Sequence, residues 1–402
     1  MPIALLALTL SAFAIGTTEF VIVGLIPTIA TDLGIDVPSA GLLVSLYALG
    51  VALGAPLLTA LTGRMPRKAL LLALMVLFTI GNLLAWCAPG YEALIIARLV
   101  TGLAHGVFFS IGSTIATSLV PREKAASAIA LMFTGLTVAL VTGVPLGTFI
   151  GQHFGWRATF LAVAALGLLA LAGSLLFVPR RIEHRPPASL LQQLQVLGQP
   201  RLLLVYAMTA VGYGGSFIAF TFLAPLLQQI SGFQASTVSL VLLAYGVSVA
   251  VGNIWGGKLA DRLGPIRALQ RIFLLLALVL FALTFTAANS SLVLLTVLLW
   301  GAVAFGNVPG LQVYVVQQAE RHAPQAIDVA SGLNIAAFNL GIAGGAWGGG
   351  LIVSELGLIH TAWIGGLVVL LALALTSWSG RLDRRDPPSA TAARPAHYAP
   401  GH

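Results

Sequence analysis

One hydrophobic pattern occurs twice in this 402-residue chain. Tyr47, Val51, Ala52, Gly54, Leu61 and Arg64 are matched by Tyr245, Val249, Ala250, Gly252, Leu259 and Arg262, each pair 198 residues apart. Leu25 and Pro27 match Leu223 and Pro225 at the same offset, and Gly135, Leu136, Ala139, Gly147 and Gly151 match Gly332, Leu333, Ala336, Gly344 and Gly348 one residue out of step. An offset of about half the length means that one unit is copied and joined to itself, so both halves must take the same fold.

The solvent of that fold follows from its chemistry. The chain is 58% hydrophobic and 8% charged, where a soluble domain carries about 25% charged residues. Lipid is the medium such a surface requires, and in lipid every main-chain amide needs an internal partner, which selects helices. Apolar runs long enough to cross a ~30 Å hydrocarbon layer lie near 3–28, 39–62, 69–88, 92–119, 125–151 and 157–178. A second set lies near 202–229, 236–258, 267–287, 291–318, 327–353 and 359–379. The expected fold is an all-α membrane protein of twelve transmembrane helices in two six-helix bundles related by a pseudo-two-fold repeat. Residues 1–178 form the first bundle, 179–200 a linker, 201–379 the second bundle and 380–402 a disordered tail. A short surface helix is expected within the linker at Leu190–Leu197. The first run has no basic residue before it and extends past Pro27, too long for a signal-peptide core, so it reads as a retained helix.

The net charge of +8 reports orientation and not nucleic-acid binding. Placing both termini and the linker in the cytoplasm puts eighteen of the twenty basic residues on that side, as the positive-inside rule requires. The exceptions are Arg98, inside a helix, and Arg157, outside. Cys87 is the only cysteine, which excludes an intrachain disulfide and reads as a small buried hydrophobe. No zinc spacing, nucleophile motif or phosphate loop occurs, so the chain is expected to be no enzyme and to hold no metal or cofactor.

The rare polar residues inside apolar runs are the candidate site. Glu19 is the only charge in the first helix. A carboxyl there is stable only where it faces a cavity or takes up a proton, which suits proton coupling. Arg98, Gly102, His105 and Gly106 share a face of the fourth helix; Arg98 either snorkels or partners a carboxylate, and His105 titrates near neutral pH in its unperturbed state. Thr18, Tyr47, Phe109, Tyr213, Asn253, Asn307, Gln312, Asn334, Phe338 and Asn339 are candidates for lining a substrate path. Gly143, Gly147 and Gly151 form a small-residue face beside Pro145, fitted to close helix packing and a bend. Asp328 reads as a helix N-cap.

Gly257, Lys258, Asp261, Arg262 and Gly264, with Arg64 in the first-half copy, resemble the signature loop of the major facilitator superfamily. There Asp261 would cap a helix or form a cytoplasmic latch with a neighbouring base; Gly63 stands where the first-half signature has its acid. The glycine-proline stretch resembles the motif of that superfamily's antiporters, and Arg98 the arginine of its proton-coupled fourth helix. Thr17-Thr18-Glu19-Phe20, His105-Gly106, Gly143–Gly147, Trp156-Arg157, Asp328-Val329-Ala330 and Phe338-Asn339-Leu340-Gly341 together resemble the drug:proton antiporter family, in its sugar efflux and arabinose efflux permease-like branch. That resemblance implies a monomeric multi-pass protein of a bacterial inner membrane. It implies export of a small molecule, a sugar or an amphipathic drug-like solute, in exchange for protons. A proton-coupled importer, a passive facilitator and a non-transporting sensor are the alternatives.

Overall fold

The structure, a computed structural model, describes residues 3–62, 65–121, 125–180, 182, 190–324 and 326–385. Arg64 lies outside the described residues. The first half comprises α1 (Ile3–Leu33), α2 (Val37–Leu61), α3 (Arg67–Trp86), α4 (Tyr91–Ser118), α5 (Ala125–Val138), α6 (Val144–Phe154) and α7 (Trp156–Phe177). After α8 (Leu190–Leu197) come α9 (Pro200–Phe220), α10 (Leu223–Gln229), α11 (Ala235–Leu263), α12 (Pro265–Thr286), α13 (Ser290–Ala304), α14 (Asn307–His322), α15 (Ile327–Glu355) and α16 (His360–Arg385). Twelve crossings result, because α5–α6, α9–α10 and α13–α14 each make one broken span. Twelve is even, so both ends of the chain and the linker share one face of the molecule, the termini face.

The breaks have local causes. A five-residue π-turn, Ala139–Gly143, joins α5 to α6 just before Pro145, which has no N–H to give to the ladder. The tenth crossing breaks at Phe305-Gly306, and the seventh at Thr221-Phe222. Large apolar side chains such as Leu176, Phe285 and Trp347 point outward, as a lipid-facing shell requires.

The repeat is visible in the packing. A Cβ on Gly102 would strike the main-chain oxygen of Tyr47, and one on Gly301 would lie 2.7 Å from that of Tyr245. Tyr47 and Tyr245 are repeat partners, so α2 crosses α4 as α11 crosses α13. The glycine face of α5–α6 packs on α1: Gly143 meets Thr17, Gly147 meets Val21 and Gly151 meets Leu25, a four-residue row against a four-residue row. The bundles meet through α2 against α15, where Ser45 Oγ donates to the Ala343 oxygen at 2.7 Å, and through α6 and the π-turn against α11, where Ser239 Oγ donates to Gln152 Oε1 at 2.9 Å. On the termini face α8 packs against α2, α9 and α15, bridging both halves.

Four expectations are corrected here. The last helix runs to Arg385, beyond the expected start of the tail at 380, because Asp383 is tied to three neighbours; residues 386–402 lie outside the description. Cys87 is exposed, since it is the C-cap of α3 and lies past the last buried turn. Asp261 falls inside the final turn of α11, exposed and without an ion pair to another described residue, so it is not a helix N-cap. The turn to α12 is made instead by Gly264, whose φ of +78° favours glycine. The N-cap of α15 is Ala326, one turn position before the helix that contains Asp328; the Asp328 side chain lies outside the described residues.

Outside the membrane, Asp36 accepts from the Ser39 N–H at 2.7 Å at the entry to α2, and hydrogen bonding from the Ser39 side chain and then its main chain holds the carboxyl below the usual range. Lys68 donates to the oxygens of Leu175 (2.7 Å) and Val178 (2.5 Å), satisfying the carbonyl end of α7. Arg157 donates to Asp32 at 2.6 Å and to the Ala88 oxygen at 2.9 Å, while Trp156 Nε1 donates to the same carboxylate at 2.8 Å. Arg157, one of the two exceptions to the orientation signal, therefore clamps the far ends of α1, α3 and α7.

Candidate functional site

Glu19 lies half-way along α1, a 31-residue helix, and is the only buried carboxylate among the described residues. Its side chain is buried, with 7% exposure. Oε2 is 3.9 Å from His105 Nδ1 on α4, outside hydrogen-bond range. The same nitrogen is 3.0 Å from the Tyr47 hydroxyl on α2.

Arg98 is fully buried about two turns before His105, and it neither snorkels nor holds the Glu19 carboxyl. Nη1 donates to the Thr18 oxygen at 2.6 Å, Nη2 to the Glu19 main-chain oxygen at 3.4 Å and Nε to the Leu43 oxygen at 3.3 Å. The guanidinium also stands 4.1 Å above the Tyr47 ring, a favourable cation–π placement. Its planar fork thus welds α4 to α1 and α2 beside the acid.

Across from this acid–histidine–tyrosine group the second bundle presents rings. Tyr213 stands 5.4 Å from Phe217, 5.4 Å from Phe305 and 4.8 Å from Phe338, centre to centre. Phe20, the neighbour of Glu19, is 6.4 Å from both Phe217 and Phe305. Tyr213 also lies within electrostatic range of Glu19. The junction of the bundles is therefore a packed aromatic cluster beside one carboxyl, and two of its rings, Phe305 and Phe338, come from the broken tenth crossing and from α15.

A scan against family models matches residues 8–329 to the Major Facilitator Superfamily. The chain belongs to the Major Facilitator Superfamily. Over 95% of its length it is 55% identical to an uncharacterized MFS-type transporter, YtbD, of Bacillus subtilis (strain 168), covering 96% of that protein. It is 42% identical to the inner membrane transport protein YdhP of Escherichia coli (strain K12), over 87% of this chain and 88% of that one. The fold matches a bacterial homologue of the human lysosomal transporter Spinster with a TM-score of 0.77 at 18% identity, over 96% and 98% of the two chains. The protein is a multi-pass membrane transporter and not an enzyme.

Other predicted residues of this MFS transporter sit elsewhere. Thr18 turns away from the aromatic cluster and donates to Asn82 Oδ1 on α3 at 2.7 Å. Phe109 packs on His105 at 5.0 Å and on Phe133 at 5.0 Å, behind the acid group. Asn334 accepts from Thr209 Oγ1 at 2.7 Å and donates to Gln312 Oε1 at 3.1 Å, while Gln312 Nε2 donates to Ser331. Those four side chains form a polar knot that joins α9, α14 and α15. Asn339 Nδ2 donates to the Ile335 oxygen of its own helix, and Asn339 Oδ1 has no partner. Asn307 is fully buried at the start of α14 with neither amide atom bonded. Asn253 is half-buried on α11. Of the conformational group, Gly143 and Gly147 line the α1 contact and Pro145 is buried in the first turn of α6, while Gly257, Asp261 and Arg262 lie on the termini face.

Phe217 and Phe305 escaped the sequence reading as site residues. Phe217 was findable: it is the repeat partner of Glu19, where a ring replaces the acid. Phe305 had a weaker signal, the Gly306-Asn307 pair that interrupts an apolar run.

Proposed function

We propose that this transporter exports a small neutral or weakly cationic solute, a sugar or an amphipathic drug-like molecule, in exchange for protons by alternating access. The observation that carries the reading is Glu19: one buried carboxyl, half-way through the membrane, between a histidine–tyrosine pair and a wall of aromatic rings. Both termini face the cytoplasm of a bacterial inner membrane, the orientation that the loop charge favours, and the working unit is the monomer.

The chemistry follows from the donors and acceptors present. A neutral His105 with its proton on Nε2 accepts from Tyr47 at Nδ1; a proton on Nδ1 turns the same edge into a donor toward Glu19. A proton arriving from outside neutralises the Glu19 carboxyl and, by shifting the balance between the two conformations, displaces the bound solute outward. Return to the inward state releases the proton, and the ionised acid receives the next solute. One charge moving through 100 mV supplies ~2.3 kcal/mol. At ~1.4 kcal/mol per tenfold this sustains a gradient of roughly 50-fold for a neutral solute. The rings supply flat apolar area with little loss of side-chain freedom, which suits sugar faces and fused-ring compounds alike.

The test uses purified protein in proteoliposomes with an imposed pH gradient. The first step is a thermal-shift panel of sugars, nucleosides and amphipathic cations that selects a ligand. Glu19→Gln should bind that ligand within a few-fold of wild type and fail to move it uphill. Uphill export by Glu19→Gln at the wild-type rate overturns the assignment. Accumulation with the gradient reversed would instead mark an importer.

A further inference from the structure

An open groove of about 460 Å³ runs between α12 and α16 on the outer surface of the second bundle, lined by Arg267, Gln270, Arg271, Leu274, Leu373 and Ser377. It lies at the termini face, because α12 begins there at Pro265. The lining is graded by depth. Arg267 and Arg271 are one turn apart on the same side of the helix, about 6 Å along its axis. Gln270 bridges to Ser377 at 3.1 Å across the two helices, and one turn further into the membrane the walls become Leu274 and Leu373.

Two features of this groove lack an explanation in the fold itself. Both arginines are exposed, and neither forms an ion pair with another described residue. Both also sit in the first two turns of α12, which has no acid in its first turn, where the helix dipole disfavours cations. Orientation needs positive charge on this face, but it does not need two cations on one side of one helix at the rim of a groove.

The geometry points to a binding site for an anionic phospholipid. The headgroup phosphate takes the two guanidinium groups, the Gln270 and Ser377 side chains hold its ester or glycerol oxygens, and an acyl chain lies on Leu274 and Leu373. Guanidinium forks match phosphate oxygens in pairs, and basic pockets between helices on the cytoplasmic side are suited to such headgroups. Trp378, exposed beside the groove, lies at a depth where an indole favours the interface.

The test is native mass spectrometry and thermal unfolding of the full chain in detergent, with phosphatidylglycerol, phosphatidylcholine or inorganic phosphate added. Wild type should retain phosphatidylglycerol and be stabilised by it, and by neither other addition. Arg267→Gln with Arg271→Gln should lower its retention about 30-fold, the product of two interfacial cations. Arg381→Gln with Arg384→Gln removes the same charge from the same face and should retain the lipid. Leu373→Trp keeps both arginines while filling the apolar floor, and it should also expel the lipid. Equal loss in the two arginine pairs means diffuse charge attraction and overturns the site. Equal stabilisation by inorganic phosphate means a simple anion site, and phosphatidylcholine binding as tightly as phosphatidylglycerol means an apolar one; either result overturns it too.

Discussion

Arg98 donates to the main-chain oxygen of Thr18 at 2.6 Å, so the one arginine buried beside Glu19 is bonded to the backbone of α1 and not to the carboxyl. The guanidinium serves the main chain, so the Glu19 carboxyl has no ion pair with it, while the cation stays within electrostatic range. The second bundle has Val297 and Ala304 where this one has Arg98 and His105, counting at the 199-residue offset of Gly102 and Gly301. The copied half kept the scaffold and filled the chemical positions with apolar groups.

Arg98→Lys keeps the charge and loses the fork. A lysine ammonium is a point charge and cannot reach the oxygens of Thr18, Glu19 and Leu43 in the same plane. The variant should be less stable by about 2 kcal/mol, the range for hydrogen bonds made by a charged donor. It should also lose coupling more than binding. Thermal unfolding and pH-driven export, measured with ligand affinity, separate the two effects.

Thr18→Val tests the placement of that hydroxyl. It leaves Asn82 Oδ1 buried without its donor, at a cost of about 1–3 kcal/mol. Because the hydroxyl faces α3 and not the aromatic cluster, the affinity for the ligand chosen in the thermal-shift panel should stay within twofold, well under the ~1.4 kcal/mol that marks tenfold. Thr18→Val combined with Asn82→Leu should recover part of the stability. A large loss of affinity in Thr18→Val alone would place Thr18 in the binding path.

How much of this was legible in the sequence depends on the kind of interaction. Twelve spans and the duplicated unit are statements about length and period, and every span expected is present with ends moved by a few residues. Glu19 stood out because a carboxyl in an apolar run has no neutral explanation. The glycine row at 143, 147 and 151 announced a close helix, though not that the helix was α1. Partner choice was hidden. That Thr18 would serve Asn82, that Arg98 would serve carbonyls, and that Cys87 would lie past the last buried turn are results of how helices distant in sequence approach one another. The extension of α16 was hidden for the same reason, since Asp383 finds its partners on α9 and α14.

Phe305→Ala should weaken binding of the ligand chosen in the thermal-shift panel without changing the pH dependence of export. The ring contacts Phe20 and Tyr213, and each aromatic pair contributes about 0.5–1.5 kcal/mol beyond burial. A loss of roughly tenfold in affinity is expected, with Phe305→Leu between the two. Titration of the ligand against tryptophan fluorescence measures it. Unchanged affinity in Phe305→Ala would remove the aromatic wall from the binding site.

Asp383 offers the clearest stability test away from the aromatic cluster. Its carboxylate accepts from Arg201 Nη2 at 2.9 Å, from the Tyr314 hydroxyl at 2.8 Å and from Gln318 Nε2 at 3.0 Å, with Arg321 Nη1 at 4.0 Å. Arg201 opens α9, Tyr314 and Gln318 lie on α14, and Asp383 ends α16, so one acid ties three helices together at the termini face. Both partners of the Arg201 pair are mostly buried, at 14% and 20% side-chain exposure, and removing one partner of such a pair leaves the other charge uncompensated. Asp383→Ala should cost about 3 kcal/mol. Asp383→Asn should cost less, since its carbonyl oxygen can still accept from Tyr314 or Gln318. Arg201→Met combined with Asp383→Leu should lie closer to wild type than Asp383→Ala, because no charge is then left without a counterpart. Hydrogen exchange should show the loss as earlier opening of residues 376–385, with the amides around Glu19 unchanged. Uniform loosening of both bundles would show instead that the acid supports the whole molecule and not this joint.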